Sequence, residues 1–510
     1  MKTTVSTVKG LVAAAGMVVL GIAIGFAQGT MQPQSMKGAV IKGKAPVSKE
    51  VLRVTLPKAY ETKLASGLQV IVLENHKLPT FAMQMVMLSG GLSDPSDLHG
   101  VAQFTAALLR EGTKTRTSRQ IAEQVDSIGA TLSAGSGLSG ISSMVSASGL
   151  TDNFDQVMEL FADVILNPTF PTDELSKLKT RTLAQLRSQR SYPFFLAMEM
   201  FSKVMWRDHP NARIAPSPEE IQRLTPEMLA KFHSTYYCPN NAMFAIVGDV
   251  KPAEIVAKLE KAFTSWQRGE YPPTTIPKAK DTGTTKIYLI DRPGSVQTNL
   301  LLGTLTIERA DPDYYALQVM NRIVGGGPSA RLFRNLREDK GYTYGAYSNV
   351  SAFKYRGAFQ ANTEVRTNVT DGAMKELMYE FRQIRDEKTP QQEFDDAKRA
   401  IVGSFALQLE SPPALLNNII TQKIYGLPAD YWDTYPQKIS AQTAEDIQRV
   451  AQKYLDLDHL QVVVVGDAKQ LAELLRKYGP VEIFDTEGKP AKPAASQLRA
   501  SPRDAVRAGF

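Results

Sequence analysis

The sequence predicts an α+β protein built from two similar lobes, and three observations lead there. At 510 residues the chain exceeds what one hydrophobic core ordinarily holds, about 250–300 residues, so at least two domains are expected. Two stretches also close alike. Tyr236-Tyr237-Cys238-Pro239-Asn240-Asn241 leads into an apolar strand at 242–247 and then Gly248-Asp249. Lys453-Tyr454-Leu455 leads into a strand at 460–465 and then Gly466-Asp467. Lastly, strand-type alternation is followed by strongly amphipathic helical patterns at 153–165 and 370–384, which sets helices against one face of a sheet.

The elements follow in order. Lys2 and Lys9 precede an apolar run at 11–27, and Gly25-Phe26-Ala27 supplies small residues at the −3 and −1 positions of a cleavage site before Gln28. Residues 1–27 therefore read as a signal peptide. The competing reading is an uncleaved anchor, since about 17 apolar residues approach the lower limit for a bilayer span. Residues 28–52 are polar, with Gly, Pro and Lys, and read as a flexible lead-in. The first lobe spans 53–267, with strands at 68–73 and 81–88, then a long helix, and a last helix at 252–263. Residues 268–284, rich in Pro and Thr, form the linker. The second lobe, 285–483, repeats the order with strands at 286–290 and 298–305, a long helix, and a last helix at 469–478. Residues 484–510 hold Pro490, Pro493 and Pro502 among Lys, Arg and Ala and are expected to be disordered.

Composition narrows the class. Hydrophobic residues are 43% and charged residues 22%, ordinary for a globular protein and unlike disorder or a polytopic membrane protein. The net charge of +7 is modest, and no basic stripe is interleaved with aromatics, which argues against nucleic acid. Cys238 is the only cysteine, so the leader has no lipobox cysteine and the fold no internal disulfide. An exported protein relying on its cores fits a bacterial periplasm.

The segment Gly100-Val101-Ala102-Gln103-Phe104-Thr105-Ala106-Ala107-Leu108-Leu109-Arg110-Glu111-Gly112-Thr113 resembles the zinc helix of the M16 (pitrilysin and processing-peptidase) family, G-x-A-H-F-x-E-H-x-x-x-x-G-T. The resemblance implies two homologous lobes, each a mainly antiparallel sheet packed with helices. Gly100, Ala102, Phe104, Gly112 and Thr113 keep the frame. In the family, two histidines four apart share one helix face and bind the metal, and a glutamate activates the bound water. Here Gln103 and Ala107 stand at the histidine positions and Ala106 at the glutamate position. The family's third ligand, a glutamate eight residues before a proline, corresponds to Gln185, eight before Pro193. Alanine cannot ligate, and a glutamine carbonyl is a weak, uncharged donor for zinc. Of His76, His99, His209, His233 and His459, no two are spaced to share a helical face. No metal is expected on this chain, and without one nothing lowers the pKa of water toward about 7.

The second lobe keeps a different pattern. Gly325-Gly326-Gly327-Pro328-Ser329-Ala330-Arg331-Leu332-Phe333 followed by Leu336-Arg337-Glu338-Asp339-Lys340-Gly341-Tyr342-Thr343-Tyr344 is similar to the M16 second-lobe motif G-G-x-x-x-S-R-L-F…L-R-E-x-x-G-x-x-Y. By that resemblance Arg337 and Tyr344 match the pair that reaches across the chamber to the opposite zinc site and stabilises the tetrahedral intermediate, as fixed donors facing a developing oxyanion. Read alone, Arg337 beside Glu338 and Asp339 equally suits a surface ion pair, and Tyr344 in a strand equally suits the core. Gly325–Gly327 reads either as a loop that lets a peptide backbone approach or as a helix C-cap, and Arg331 as a helix pin.

The resemblance covers residues 55–480. It implies a non-catalytic subunit that joins a zinc-bearing M16 sister chain, completes a chamber for unfolded peptides, and supplies Arg337 and Tyr344 in trans. The alternative is a scaffold subunit that binds peptide or protein without proteolysis. A self-sufficient serine hydrolase is disfavoured: Ser133, Ser136, Ser139, Ser142 and Ser143 read as a small-residue β segment with no G-x-S-x-G elbow.

Overall fold

A computed structural model of the chain describes residues 56–491; the leader and lead-in, 1–52, lie outside the described residues. Within them, two six-stranded sheets are formed. The first comprises β1 (Tyr60–Lys63), β2 (Gln69–Glu74), β3 (Thr80–Met87), β4 (Thr131–Ser136), β5 (Ser143–Leu150) and β6 (Ala242–Gly248), in the order β1-β2-β6-β3-β5-β4. The second comprises β7 (Lys286–Asp291), β8 (Gln297–Leu305), β9 (Thr343–Val350), β10 (Ala358–Arg366), β11 (Gln461–Gly466) and β12 (Val481–Phe484), in the order β12-β7-β11-β8-β10-β9.

Five strands of each sheet correspond one to one. In both, the closing strand of the lobe inserts parallel to the opening strand, Val70 opposite Phe244 and Ile287 opposite Val462, and antiparallel to the second strand. The outermost strand breaks the likeness: β1 precedes β2 and runs antiparallel to it, whereas β12 follows the whole lobe and runs parallel to β7. The sheets are thus mainly antiparallel, as expected.

Every residue of β6 and β11 is buried. Successive side chains of a strand face opposite sides, so both sides of these strands must be covered. Phe244 and Ile246 face the helices of their own lobe. Met243, Ala245 and Val247 instead meet Leu415, Leu416, Ile419 and Ile420 of helix Pro412–Tyr425, which the second half of the chain supplies. The exchange is reciprocal. Helix Pro193–Trp206, from the first half, lays Leu196, Met200, Phe201 and Met205 on Ile290, Leu301, Val463 and Val465. Both helices start with proline at the first turn, where its missing N–H costs nothing.

Each sheet, on either side of the segment 268–284, is thus finished by a helix from the other half, and the described residues, 56–491, form one compact unit. The linker is irregular but anchored: Asn240 exchanges two 2.9 Å hydrogen bonds with the backbone of Gly269, and Asp281 pairs with Arg356 at 2.6 Å. The tail expectation changes. Phe484 completes β12, Ala491 donates its N–H to Ile483 at 2.8 Å, and Glu487 pairs with Arg190 at 3.0 Å, so 484–491 are ordered; 492–510 lie outside the described residues. The helix after β3, expected to be long, runs only over Val101–Leu108.

Candidate functional site

Helix Val101–Leu108 carries the degenerate motif. It starts at Gly100, whose φ of 96° is left-handed and suits glycine. Asp94 caps it, accepting from the N–H groups of Gly100 at 2.6 Å and Ala102 at 2.8 Å. Burial pushes the Asp94 carboxyl up to about 7, against the pull of those N–H groups. Phe104 and Leu108 enter the first-lobe core. Ala106 is fully buried, and the Oε1 of Gln103 is buried with no hydrogen-bond partner. Gln185 is exposed, on helix Thr172–Arg190.

The family's zinc would need imidazoles and carboxylates here, and this donor set does not fit it: two methyl groups, one orphaned amide and one solvent-exposed amide. Among the described residues no group of three or more His, Cys, Asp or Glu is placed to hold a metal ion. The histidines have other partners. His99 sits 2.9 Å from Glu220, which Arg213 also contacts at 2.7 Å. His76 lies between Asp249 and Glu74. His209 packs on the Tyr355 ring at 4.6 Å. His233 places Nε2 2.7 Å from the Ile165 carbonyl, and His459 bonds Asp456 at 2.7 Å.

The second-lobe motif is presented by two departures from regular structure. After the short turn Arg331–Phe333, residues Arg334–Asp339 form a π-helix, with the N–H of Lys340 bonded to the carbonyl of Asn335 at 3.0 Å. Such wide turns recur at functional sites. Arg337 is exposed here and makes no ion pair among the described residues; its guanidinium instead lies 4.6 Å above the Phe333 ring. Ion pairs in this segment are made by Arg331 and Arg334 instead: Arg331 grips Glu393 in a fork, Nε to Oε1 at 3.0 Å and Nη2 to Oε2 at 2.7 Å, and Arg334 reaches the same carboxylate at 3.2 Å. Arg331 thus pins the turn to helix Gln391–Gln408.

Tyr344 lies at a bulge in β9, the edge strand. Thr343 opposes Val365 and Ala346 opposes Thr363, so β9 carries one extra residue there. The Thr343 hydroxyl accepts from the Gly345 N–H at 3.0 Å and donates to its carbonyl at 2.9 Å, fixing the kink. A bulge re-aims side chains, and Tyr344 is 91% exposed, the opposite of a core tyrosine. It borders a cleft of about 770 Å³ shared with Val296, Arg366 and Gln470.

The three glycines are met closely by the chain itself. Helix Tyr314–Val324 ends at Gly325, and the N–H groups of Gly325 and Gly326 both bond the Asn321 carbonyl, at 2.9 and 2.8 Å. Gly325 accepts from the Ser348 N–H of β9 at 2.9 Å, and a Cβ on it would lie 2.4 Å from that nitrogen. A Cβ on Gly327 would meet the Arg322 guanidinium at 2.6 Å.

Sequence reasoning missed Phe333 and Tyr347. Phe333 carries Arg337 on one side and packs against Tyr347 of β9 at 5.6 Å on the other. The signal was the Phe333–Arg337 spacing, one helical turn, which puts ring and guanidinium on one face.

Two sheet-and-helix lobes, one with a helix in the place of a metalloprotease motif and the other with a projecting arginine and tyrosine, define a peptidase-like chain of two homologous halves. Family models bear this out. The model described as insulinase (peptidase family M16) matches residues 69–219, and that described as peptidase M16 inactive domain matches 223–401. The chain belongs to the M16 peptidase family. It is 27% identical over 355 residues to an uncharacterized zinc protease of Rickettsia felis, covering 68% of this chain and 83% of that one. It is 25% identical over 407 residues to the non-peptidase homolog YmxG of Helicobacter pylori, covering 79% and 92%. Among solved structures, a peptidase M16 inactive domain from Pseudomonas fluorescens aligns with TM-score 0.75 at 29% identity, covering 80% of this chain and 98% of that one. A protease from Helicobacter pylori aligns with TM-score 0.75 at 21% identity, covering 81% and 100%, a likeness of fold.

Proposed function

We propose that this protein is the non-catalytic member of a peptidase pair, joining a zinc-bearing M16 chain to enclose a chamber that degrades unfolded peptides. The observation that carries this reading is an asymmetry within one chain. The helix that should hold metal has no charged or imidazole donor, while Arg337 and Tyr344 are held out by a π-turn and a bulge, with no ion pair or side-chain hydrogen bond among the described residues. An arginine and a phenol left free in this way suit stabilisation of an oxyanion formed elsewhere. Zinc would be the partner's, and the exposed strand edges would pair with extended peptide. The apolar run at 11–27 supports export to the periplasm.

The test mixes the purified chain with the zinc-motif M16 chain encoded nearest to it and measures both assembly and peptide turnover. A complex that cleaves, and whose turnover falls about a hundredfold with Arg337→Ala and about tenfold with Tyr344→Phe, supports the reading. A chain that stays monomeric, or a pair indifferent to Arg337→Ala, refutes it. A second reading, a scaffold subunit that binds peptide or protein without cleavage, is favoured by the description of the Helicobacter pylori relative as a non-peptidase homolog. A stable complex with no turnover selects it.

A further inference from the structure

A pocket of about 280 Å³ lies in the second lobe, walled by Tyr314, Phe405, Trp432 and Tyr435 and edged by Arg309 and Arg322. Arg337 and Tyr344 are not among its lining residues. Its walls are aromatic rings in mutual contact: Phe405 stacks on Trp432 at 5.7 Å and 17°, and its ring lies 4.9 Å from that of Tyr435. The Arg309 guanidinium lies 3.9 Å from the Tyr314 ring centre and 5.6 Å from that of Trp432. Its Nη1 donates to the Tyr314 hydroxyl, and its Nε is buried with no acceptor. Arg322 gives Nη1 to the Gly326 carbonyl at 2.6 Å. Among the described residues neither guanidinium forms an ion pair.

This arrangement is electrostatically unbalanced. Two partly buried guanidinium groups line one small space, and the Arg309 Nε is a buried donor without an acceptor. Cation–π stacking engages only the flat faces of a guanidinium. Arg309 Nη1 is taken by Tyr314, its Nε is sealed off, and Arg322 Nη1 is taken by the Gly326 carbonyl, which leaves the remaining guanidinium N–H groups, chiefly those of Arg322, to meet a carboxylate in a two-point contact.

We propose that this pocket binds a carboxylate carried on an aromatic or branched aliphatic group, as a free acid or as the last residue of a peptide. The guanidinium edges take the carboxylate and the aromatic walls take the apolar body. The volume falls just below the range of about 300–1,000 Å³ usual for small-molecule pockets, which suits one residue rather than an extended chain. Ser404 and Gln408, exposed on helix Gln391–Gln408, form the mouth.

The experiment is calorimetric titration of the full chain with N-acetylphenylalanine, its amide, alanyl-alanyl-phenylalanine, its C-terminal amide, and inorganic phosphate. The two free carboxylates are expected to bind saturably, with about tenfold or greater weakening for the amides and for Arg322→Gln. Because Arg309 is part of the aromatic cluster, its replacement risks the fold; Ser404→Phe at the exposed mouth blocks the pocket instead, with the thermal midpoint unchanged. Tighter binding of the acid marks a free metabolite-like ligand, and tighter binding of the tripeptide marks a peptide terminus; both support the pocket. Absence of saturable binding by any carboxylate overturns the proposal. So does equal binding of the amides, phosphate binding as tightly as the carboxylates, or affinity unchanged by both Arg322→Gln and Ser404→Phe.

Discussion

Replacing Phe201 with alanine tests whether the two halves of this chain are one folding unit. Phe201 belongs to the first half in sequence but is fully buried on the second sheet. Its ring meets Trp206 edge-on, centroids 6.4 Å apart at 81°. The tip of its ring abuts Gly303 of β8, where a Cβ would stand 2.7 Å from its Cζ. A buried aromatic side chain removes about 150–250 Å² from water, worth at most about 4–6 kcal/mol at ~25 cal/mol per Å². Phe-to-Ala truncations in cores cost about 3–5 kcal/mol. A loss of about 4 kcal/mol is therefore expected. The assay is urea unfolding followed by far-UV circular dichroism and by tryptophan fluorescence, with Trp206 in the exchanged layer, Trp266 in the first core and Trp432 in the second. In the parent protein the transitions should coincide, and in Phe201→Ala they should move together. A loss below about 1 kcal/mol, or a first-lobe transition that stays put while the second moves, refutes the reasoning.

Further expectations follow from the same geometry. The purified chain should carry no stoichiometric zinc after dialysis against the metal, which elemental analysis will show; one tightly held zinc per chain contradicts the donor-set argument. Gln103→Met removes a buried carbonyl oxygen that has no partner and should raise stability by about 1 kcal/mol; a destabilised variant would reveal a bond that Gln103 makes. Burial pushes His233 down from 6.5 to about 4. The unfolded chain therefore takes up a proton below about pH 6.5 that the fold refuses. Stability should be fully present above that pH and fall by about 3 kcal/mol as the pH drops to 4. His233→Gln should flatten this slope in denaturation measured at successive pH values.

Much was legible in the sequence because it is written in local patterns. The apolar runs now seen as β2, β3, β6, β7, β8 and β11 were placed within a residue or two, since alternation and continuous apolar stretches report burial directly. The departure from the zinc motif was equally plain, because residue type is read directly and four positions carry alanine or glutamine. Arg337 and Tyr344 were found through their motif. Their exposure was not, because it depends on a π-turn and a bulge whose cause is the pairing of β9 with β10 and the grip of Arg331 on Glu393.

By itself the sequence determined that the chain has two homologous halves and that alanine and glutamine stand at the four positions of the family's zinc motif, as repeat order and side-chain type are local properties. Tertiary structure alone decided what covers the outer faces of β6 and β11. Burial on both sides can be read from a continuous apolar run, but the helix that provides it comes from a distant part of the chain, Pro412–Tyr425 for β6 and Pro193–Trp206 for β11. Its apolar stripe looks the same whichever sheet it covers, so only the closed packing of the whole chain selects the exchange.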